Sequence, residues 1–202
     1  RSNASRNAMD TLDTELLLDP VRTAVDEATA LVTGVATSAD ALDRAAALLP
    51  LILGAEGPRD YLVLFQNNAE WRSLGGLVGS VALLHTEEGG FALAGQGSGG
   101  GLGVRDEPPI AFDDEVTSIY DSRPGRWPAN VTQLPDFSLA APLAREFWRL
   151  KYGQEADGVV AVDPVALSYV LEVTGPVPLP TGDTLTSDNV VQLLLNEVYQ
   201  RY

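Results

Sequence analysis

A change in hydrophobic period near Arg59 constrains the fold more than any other feature of this sequence. Before this point, apolar residues recur at helical spacing from Val21 to Leu49. After it, Tyr61 to Phe65 forms one continuous apolar run, which is consistent with a strand that is buried on both faces. The period therefore predicts a helical N-terminal part followed by a domain that contains β-strands.

The N-terminal part is predicted to be a helical hairpin over residues 9–50. Asp19 and Pro20 supply an N-cap and a first-turn proline for one helix. Ser38 is placed to cap a second helix, which is expected to end at Pro50. We interpret the hairpin as a scaffold or stalk that either packs on the main domain or extends from it.

Residues 1–8 resemble the remnant of an expression tag. On that interpretation the native N-terminus is missing, and any signal or membrane anchor is expected to lie upstream of this sequence. No run of about 18 uninterrupted apolar residues is present, so no span is predicted within the chain itself.

Residues 51–202 are predicted to form one α/β domain. Two further strand candidates, Leu77 to His85 and Phe91 to Gly95, are joined by a hairpin turn. The glycine-rich stretch from Gly95 to Gly103 is expected to be a mobile loop. In the last third, helices and strands alternate, which implies a βαβ unit with a right-handed crossover. Together these elements predict a mixed central sheet with helices on both faces.

Charge and composition exclude several classes of function. The 13 Lys and Arg against 28 Asp and Glu give a formal net charge of −15, which argues against nucleic acid as the partner. With no cysteine, disulfides, zinc–thiolate sites and thiol nucleophiles are excluded. The single histidine, His85, argues against a Ser-His-Asp triad or a multi-histidine metal site, and we interpret it as structural.

The densest polar cluster follows the first predicted strand, between Gln66 and Ser80. Two amides, a carboxylate and an arginine fall within six residues, and two glycines that would let a backbone approach a ligand come next. The alternative is a capped turn whose asparagines bond their own backbone. Ligands of open α/β sheets bind at the carboxyl ends of strands, so this loop is the leading candidate for a site. Its members are Asn67, Asn68, Glu70, Arg72, Gly75 and Gly76.

Four segments of the sequence resemble those of a known family. The stretches 57–80, 134–137, 157–177 and 185–202 resemble the bacterial domain-of-unknown-function family 4012. The resemblance covers the chain from about Leu49 to its end. That family is in turn similar to the LytR-CpsA-Psr proteins.

The second resemblance implies a function. LytR-CpsA-Psr proteins are phosphotransferases that are anchored in the membrane and act on its outer side. They use magnesium to transfer glycopolymers from a polyprenyl-pyrophosphate lipid to the cell wall. It implies a mixed sheet between helical layers, in agreement with the pattern above. It also implies an extracytoplasmic protein, anchored by an upstream segment, whose ligand is a polyprenyl-linked glycan bearing a phosphate or pyrophosphate.

Candidate site residues follow from the loop and from this resemblance. Arg72 is the expected pyrophosphate clamp and, with Glu70, the candidate catalytic pair. Glu70 and Asp136 are the candidate ligands for Mg²⁺. The expected ligand-binding residues are Asn67, Asn68, Gly75, Gly76, Ser80, Asn130, Asp136 and Arg201.

Each candidate has a structural alternative. For Glu70 the alternative to a functional role is an ion pair with Arg72 or a solvated side chain, and for Asp136 it is a helix cap. Asn130 fits a turn, and Arg201 fits a surface cation near a helix C-terminus.

The aromatic residues leave a further choice open. Trp71 and Trp127 suit the border of a sugar or lipid groove, whereas Trp148 is expected in the core. Three functions remain: a magnesium-dependent phosphotransferase or pyrophosphate hydrolase, a non-catalytic module that binds the same ligand, and a structural or assembly domain of the bacterial envelope.

Overall fold

A computed structural model describes residues 19–197, and the predicted tag remnant and Arg201 lie outside these residues. The N-terminal part is one helix, α1, Asp19–Ile52. The predicted break at Ser38 is therefore wrong, and the hairpin is not confirmed. The Ser38 hydroxyl donates to the Gly34 carbonyl at 2.9 Å, so it bonds within the helix rather than capping a new one.

The main domain contains a four-stranded sheet, which confirms the predicted mixed α/β class. Its spatial order is β3-β2-β1-β4. The strand pairs β1/β2 and β2/β3 are antiparallel, and β1/β4 is parallel. The strands are β1 (Arg59–Asn67), β2 (Leu77–Glu87), β3 (Gly90–Ser98) and β4 (Gly158–Val162).

The third strand runs three residues further than predicted, into the glycine-rich stretch. A Cβ added at Gly95 would lie 3.0 Å from a ring carbon of Trp148, and one at Gly97 would lie 2.5 Å from the Tyr152 hydroxyl. These glycines therefore allow the strand to pass close beneath two aromatic rings. The expectation of a loop from Gly95 is wrong for this part.

Short helices and turns complete the domain. Two 3₁₀ turns, Gly100–Leu102 and Pro128–Gln133, flank the small helices near the candidate site. A two-stranded ribbon, β5 (Val177–Pro178) and β6 (Thr184–Leu185), precedes the last described element. The helices are α2 (Asp114–Tyr120), α3 (Arg123–Arg126), α4 (Phe137–Tyr152), α5 (Pro164–Thr174) and α6 (Val190–Gln192), the last continued by a π-helical turn over Leu193–Glu197.

The core lies between one face of the sheet and α4. Leu62 and Leu64 of β1 share this face with Val81 and Leu83 of β2, and all four are at most 1 % exposed. Helix α4 packs on them with Leu143, Phe147 and Trp148, each fully buried. The predicted core position of Trp148 is confirmed.

The opposite face of the sheet is open. Phe65, Phe91 and Val160 point to this side and are 41 %, 76 % and 44 % exposed. With Tyr61 and Ile52 they line an apolar groove of about 450 Å³. Among residues 19–197, then, helices on both faces of the sheet are not confirmed.

Candidate functional site

The loop that carries Arg72 is fixed between β1, β2 and the 3₁₀ turn 128–133. The Leu74 N–H donates to the Thr132 carbonyl at 3.0 Å, and the buried Thr132 hydroxyl donates to the Gly76 carbonyl at 2.6 Å. The Leu77 N–H donates to the Glu70 carbonyl at 3.0 Å. The two bonds of Thr132 thus join segments that are far apart in sequence.

Both glycines of the loop are required by close packing on β1. Gly75 has φ +115°, and a Cβ there would lie 2.8 Å from Oε1 of Gln66. A Cβ at Gly76 would meet the backbone carbonyl of Asn67. Close approach to the strand therefore explains both residues without a ligand, although Gly75 also lines the cavity described below.

Arg72 is held by neutral oxygens. Its Nε and Nη2 donate to Oδ1 of Asn130 at 3.2 and 3.1 Å, and its Nη1 donates to the Trp71 carbonyl at 2.7 Å. A guanidinium has five N–H donors, so one N–H remains on each terminal nitrogen. Parallel donors of this kind match the oxygens of a phosphate or carboxylate.

These groups border an open cavity of about 710 Å³. Arg123 contributes a second guanidinium from the start of α3, and Tyr120 lies at the end of α2. Beside Arg72, the side chain of Trp71 is 87 % exposed. The other polar lining residues are Ser73, Asn130 and Gln133.

The lining is cationic, in a chain whose net charge is −15. Over residues 19–197, it contains two arginines and no carboxylate. One of the two arginines has an acidic neighbour outside the lining, since Arg123 Nε lies 3.9 Å from Oδ2 of the exposed Asp121. The described lining is therefore more positively charged than the chain as a whole.

The two asparagines of the loop do not reach this cavity. Oδ1 of Asn67 accepts the Ala69 N–H at 3.0 Å, as in the capped-turn alternative. Asn68 donates to Oδ2 of Asp163 at 2.6 Å. Asn67 and Ser80 line a separate, narrower cavity of about 180 Å³, which also borders α5.

The two expected magnesium ligands, Glu70 and Asp136, are not among the described residues that line the cavity. Oδ1 of Asp136 accepts the Ser138 N–H at 2.8 Å and caps α4, and hydrogen bonding to Ser138 lowers the pKa of this carboxyl. Glu70 is exposed and forms no ion pair with Arg72. Over residues 19–197, no cluster of three histidine or acidic side chains is placed to hold a metal. A magnesium site at the cavity therefore stays a prediction.

Arg123, Tyr120 and Gln133 were not found from the sequence. They lie in an irregular stretch with no motif, about fifty residues after Arg72, and only the folded chain brings them to it. Asn130 was predicted from the sequence; it lines the cavity and also orients Arg72.

His85 is paired, as expected for a structural histidine. Its Nδ1 lies 2.9 Å from Oδ1 of Asp60, and this hydrogen bond is the main cause that raises the pKa of the imidazole.

Comparisons with known proteins place the chain at the family level. No curated protein and no solved structure matches it. Within residues 19–197, no helix has the length and apolar character needed to cross a membrane. The likeness to the LytR-CpsA-Psr proteins stays a prediction. The model of one family matches residues 56–199, nearly the whole α/β domain, and the chain therefore belongs to the family described as "Protein of unknown function (DUF4012)".

Proposed function

We propose that the cavity beside Arg72 binds a ligand that bears a phosphate or pyrophosphate. The observation that carries this proposal is that Arg72 and Arg123 line one open cavity, whose described lining contains no carboxylate. A diphosphate has several negative charges, and two guanidinium groups offer both the charge and the directed donors to hold it.

The way Arg72 is held supports the proposal. Asn130 fixes the orientation of the guanidinium but leaves its charge intact, since an amide oxygen is neutral. A side chain that is already ordered loses less conformational entropy when it binds. The arrangement thus favours an anion receptor over a plain surface arginine.

Trp71 supports a sugar or lipid portion next to the phosphate. An 87 % exposed indole beside Arg72 has an apolar face that is free to pack against a ring or a hydrocarbon. On this basis we propose a polyprenyl-linked glycan as the natural ligand. The location outside the membrane and an upstream membrane anchor are part of the same proposal and rest on the family resemblance.

Binding without chemistry is favoured over phosphotransfer by one specific observation. Among the described residues, no side chain that lines the cavity is a carboxylate or a histidine, so none of them is suited to act as a general base near neutral pH. Glu70 and Asp136 remain the proposed Mg²⁺ ligands for the catalytic alternative, in which the metal would neutralise phosphate charge.

Calorimetric titration with farnesyl pyrophosphate tests the proposal. Arg72→Ala and Arg123→Ala are each expected to weaken binding by about tenfold or more, because a hydrogen bond to a charged group contributes about 1.5–3 kcal/mol. Arg123 is the cleaner variant, since its side chain is 68 % exposed. Arg44→Ala on α1 is the matched control and should bind like the wild type.

Inorganic pyrophosphate, titrated in parallel, separates the headgroup from the lipid. Equal affinity for both probes would assign the site to the diphosphate alone. No binding by the wild-type chain, or equal binding by wild type and both arginine variants, would contradict the proposal. A lowered melting temperature of Arg72→Ala, with no stabilisation of the wild type by either probe, would favour the structural or assembly role.

A further inference from the structure

Thr132 is a polar side chain in a fully buried position behind the Arg72 cavity. Its relative exposure is 0 %, and it is not among the described residues that line the cavity. Its hydroxyl donates to the Gly76 carbonyl at 2.6 Å, and its own carbonyl accepts the Leu74 N–H at 3.0 Å. Burial of a hydroxyl costs free energy unless it is hydrogen-bonded, so the bond to Gly76 is what makes threonine acceptable here.

The two bonds of Thr132 hold the loop that carries Arg72. Their partners, Leu74 and Gly76, follow Arg72 closely in sequence. Between them, the Gly75 N–H donates to the Arg72 carbonyl at 3.0 Å. The backbone of Arg72 is therefore part of the turn that Thr132 holds, and a shift of this turn would move the guanidinium with it.

The 3₁₀ turn that contains Thr132, Pro128–Gln133, also leads back to Arg123. The Asn130 N–H donates to the Trp127 carbonyl at 2.8 Å, and the Trp127 N–H donates to the Arg123 carbonyl at 3.1 Å. Two consecutive backbone hydrogen bonds thus connect Arg123 to the turn. The same turn presents Oδ1 of Asn130 to the Arg72 guanidinium. Both arginines are therefore tied to one element, and Thr132 is its buried bond to the loop.

We propose that this turn positions the anion site, and that Thr132 sets Arg72 relative to Arg123 without touching the ligand. The inference rests on the proposed function, because it concerns the same two guanidinium groups. One anion that contacts both arginines is held well only if their separation matches it, and groups that are fixed before binding lose less conformational entropy. Without the Thr132 hydroxyl, the Gly76 carbonyl loses this donor and the loop is freer to shift against the turn.

Thr86 offers a matched control away from the cavity. It is 4 % exposed, and its hydroxyl donates to the Ile52 carbonyl at 2.8 Å, where β2 meets the end of α1. Thr86→Val and Thr132→Val each remove one buried hydroxyl that donates to a backbone carbonyl. Both variants are expected to have a lower melting temperature than the wild type, because each carbonyl loses a donor. Only Thr132→Val is expected to bind the anion less tightly.

Calorimetric titration of the 202-residue chain with farnesyl pyrophosphate tests the proposal. Thr132→Val should weaken binding by about tenfold, the loss expected when a hydrogen bond between charged groups is misaligned. Thr132→Ser keeps the hydroxyl and should bind within about twofold of the wild type, although the loss of a buried methyl group lowers its melting temperature. Thr86→Val should bind like the wild type.

Asn130→Ala provides a second variant of the same element, in case Thr132→Val does not fold. Its side chain lies in the open cavity, so the fold does not depend on it, but its removal frees the guanidinium of Arg72 from the turn. Weaker binding of farnesyl pyrophosphate by Asn130→Ala is expected, and an affinity equal to that of the wild type would overturn the proposal.

Three results would overturn the proposal and leave the proposed function intact, provided that Arg72→Ala and Arg123→Ala still weaken binding. The first is wild-type affinity in a folded Thr132→Val, and the second is an equal loss in Thr132→Val and Thr132→Ser. The third is an equal loss in Thr132→Val and Thr86→Val, which would assign the effect to stability alone. A wild-type chain that does not bind farnesyl pyrophosphate would overturn both proposals together.

Discussion

The two faces of the central sheet are formed by the same strands but differ in their exposure to solvent. Leu64 and Phe65 are neighbours in β1, but Leu64 is 1 % exposed beneath α4 whereas Phe65 is 41 % exposed on the open side. Both faces are apolar, so their residue types do not explain the difference. The difference in exposure arises because helix α4 covers only one face. The apolar residues of the other face are of the kind that packs against a second layer, which residues 19–197 do not supply.

The largest expected effect separates these two neighbours. Leu64→Ala should lower the free energy of unfolding by about 2–5 kcal/mol, because it removes buried methyl groups and leaves a cavity under α4. Phe65→Ala should cost about 1 kcal/mol, since much of the ring is already in water. Urea denaturation of both variants measures the difference. Equal losses would show that the open face is covered in solution.

A second pair of substitutions adds bulk instead of removing it. Gly95→Val should destabilise the fold by about 1–3 kcal/mol, because any Cβ at this position presses on the Trp148 ring. Leu93→Val lies on the open face, where the side chain is 59 % exposed, and should change stability by less than about 0.5 kcal/mol. The same denaturation experiment applies, and a neutral Gly95→Val would mean that α4 yields more easily than its packing indicates.

The smallest effect concerns the rim of the covered face, where His85 contacts Asp60. Because the pKa of His85 is raised in the folded protein, its charged form stabilises the fold below the unfolded pKa of about 6.5. That contribution is lost as the pH rises through the folded pKa. The melting temperature of wild type minus that of His85→Asn should therefore be larger at pH 5.5 than at pH 8.5. A difference that does not change with pH would show that the pair contributes nothing through its charge.

Local patterns were enough to predict most of the sheet. The apolar run from Tyr61 to Phe65 and the turn before Phe91 identify strands from neighbouring residues alone, and strands β1, β2 and β3 lie where these signals place them. Asp163 and Pro164 likewise mark the start of α5, whose N-cap is Asp163. Each of these features is decided within about ten residues.

One error and one unconfirmed expectation show where local patterns fail. A serine at position 38 suits both a helix cap and a hydroxyl that bonds back to a carbonyl four residues earlier, and composition does not distinguish them. An apolar run on both faces of a strand predicts two covering layers but not whether this chain provides them. Both outcomes depend on packing over long distances in sequence.

For the same reason, sequence patterns identify only part of the candidate site. Arg72 stands out because a polar loop follows a buried strand. Arg123 has no such context, and its place beside Arg72 depends on the bonds of Thr132 to the loop. Sequence patterns thus identify one guanidinium of the pair, and only the tertiary fold supplies the other.

The neutral oxygens that hold Arg72 have a consequence for ionic strength. An arginine fixed by a carboxylate loses its hold as salt screens the pair, whereas amide and carbonyl acceptors are insensitive to screening. Concentrated salt will weaken the long-range attraction between the cavity and an approaching anion, yet the guanidinium will stay aimed at the same point. For the proposed anionic ligand, salt should therefore lower the association rate more than it raises the dissociation rate.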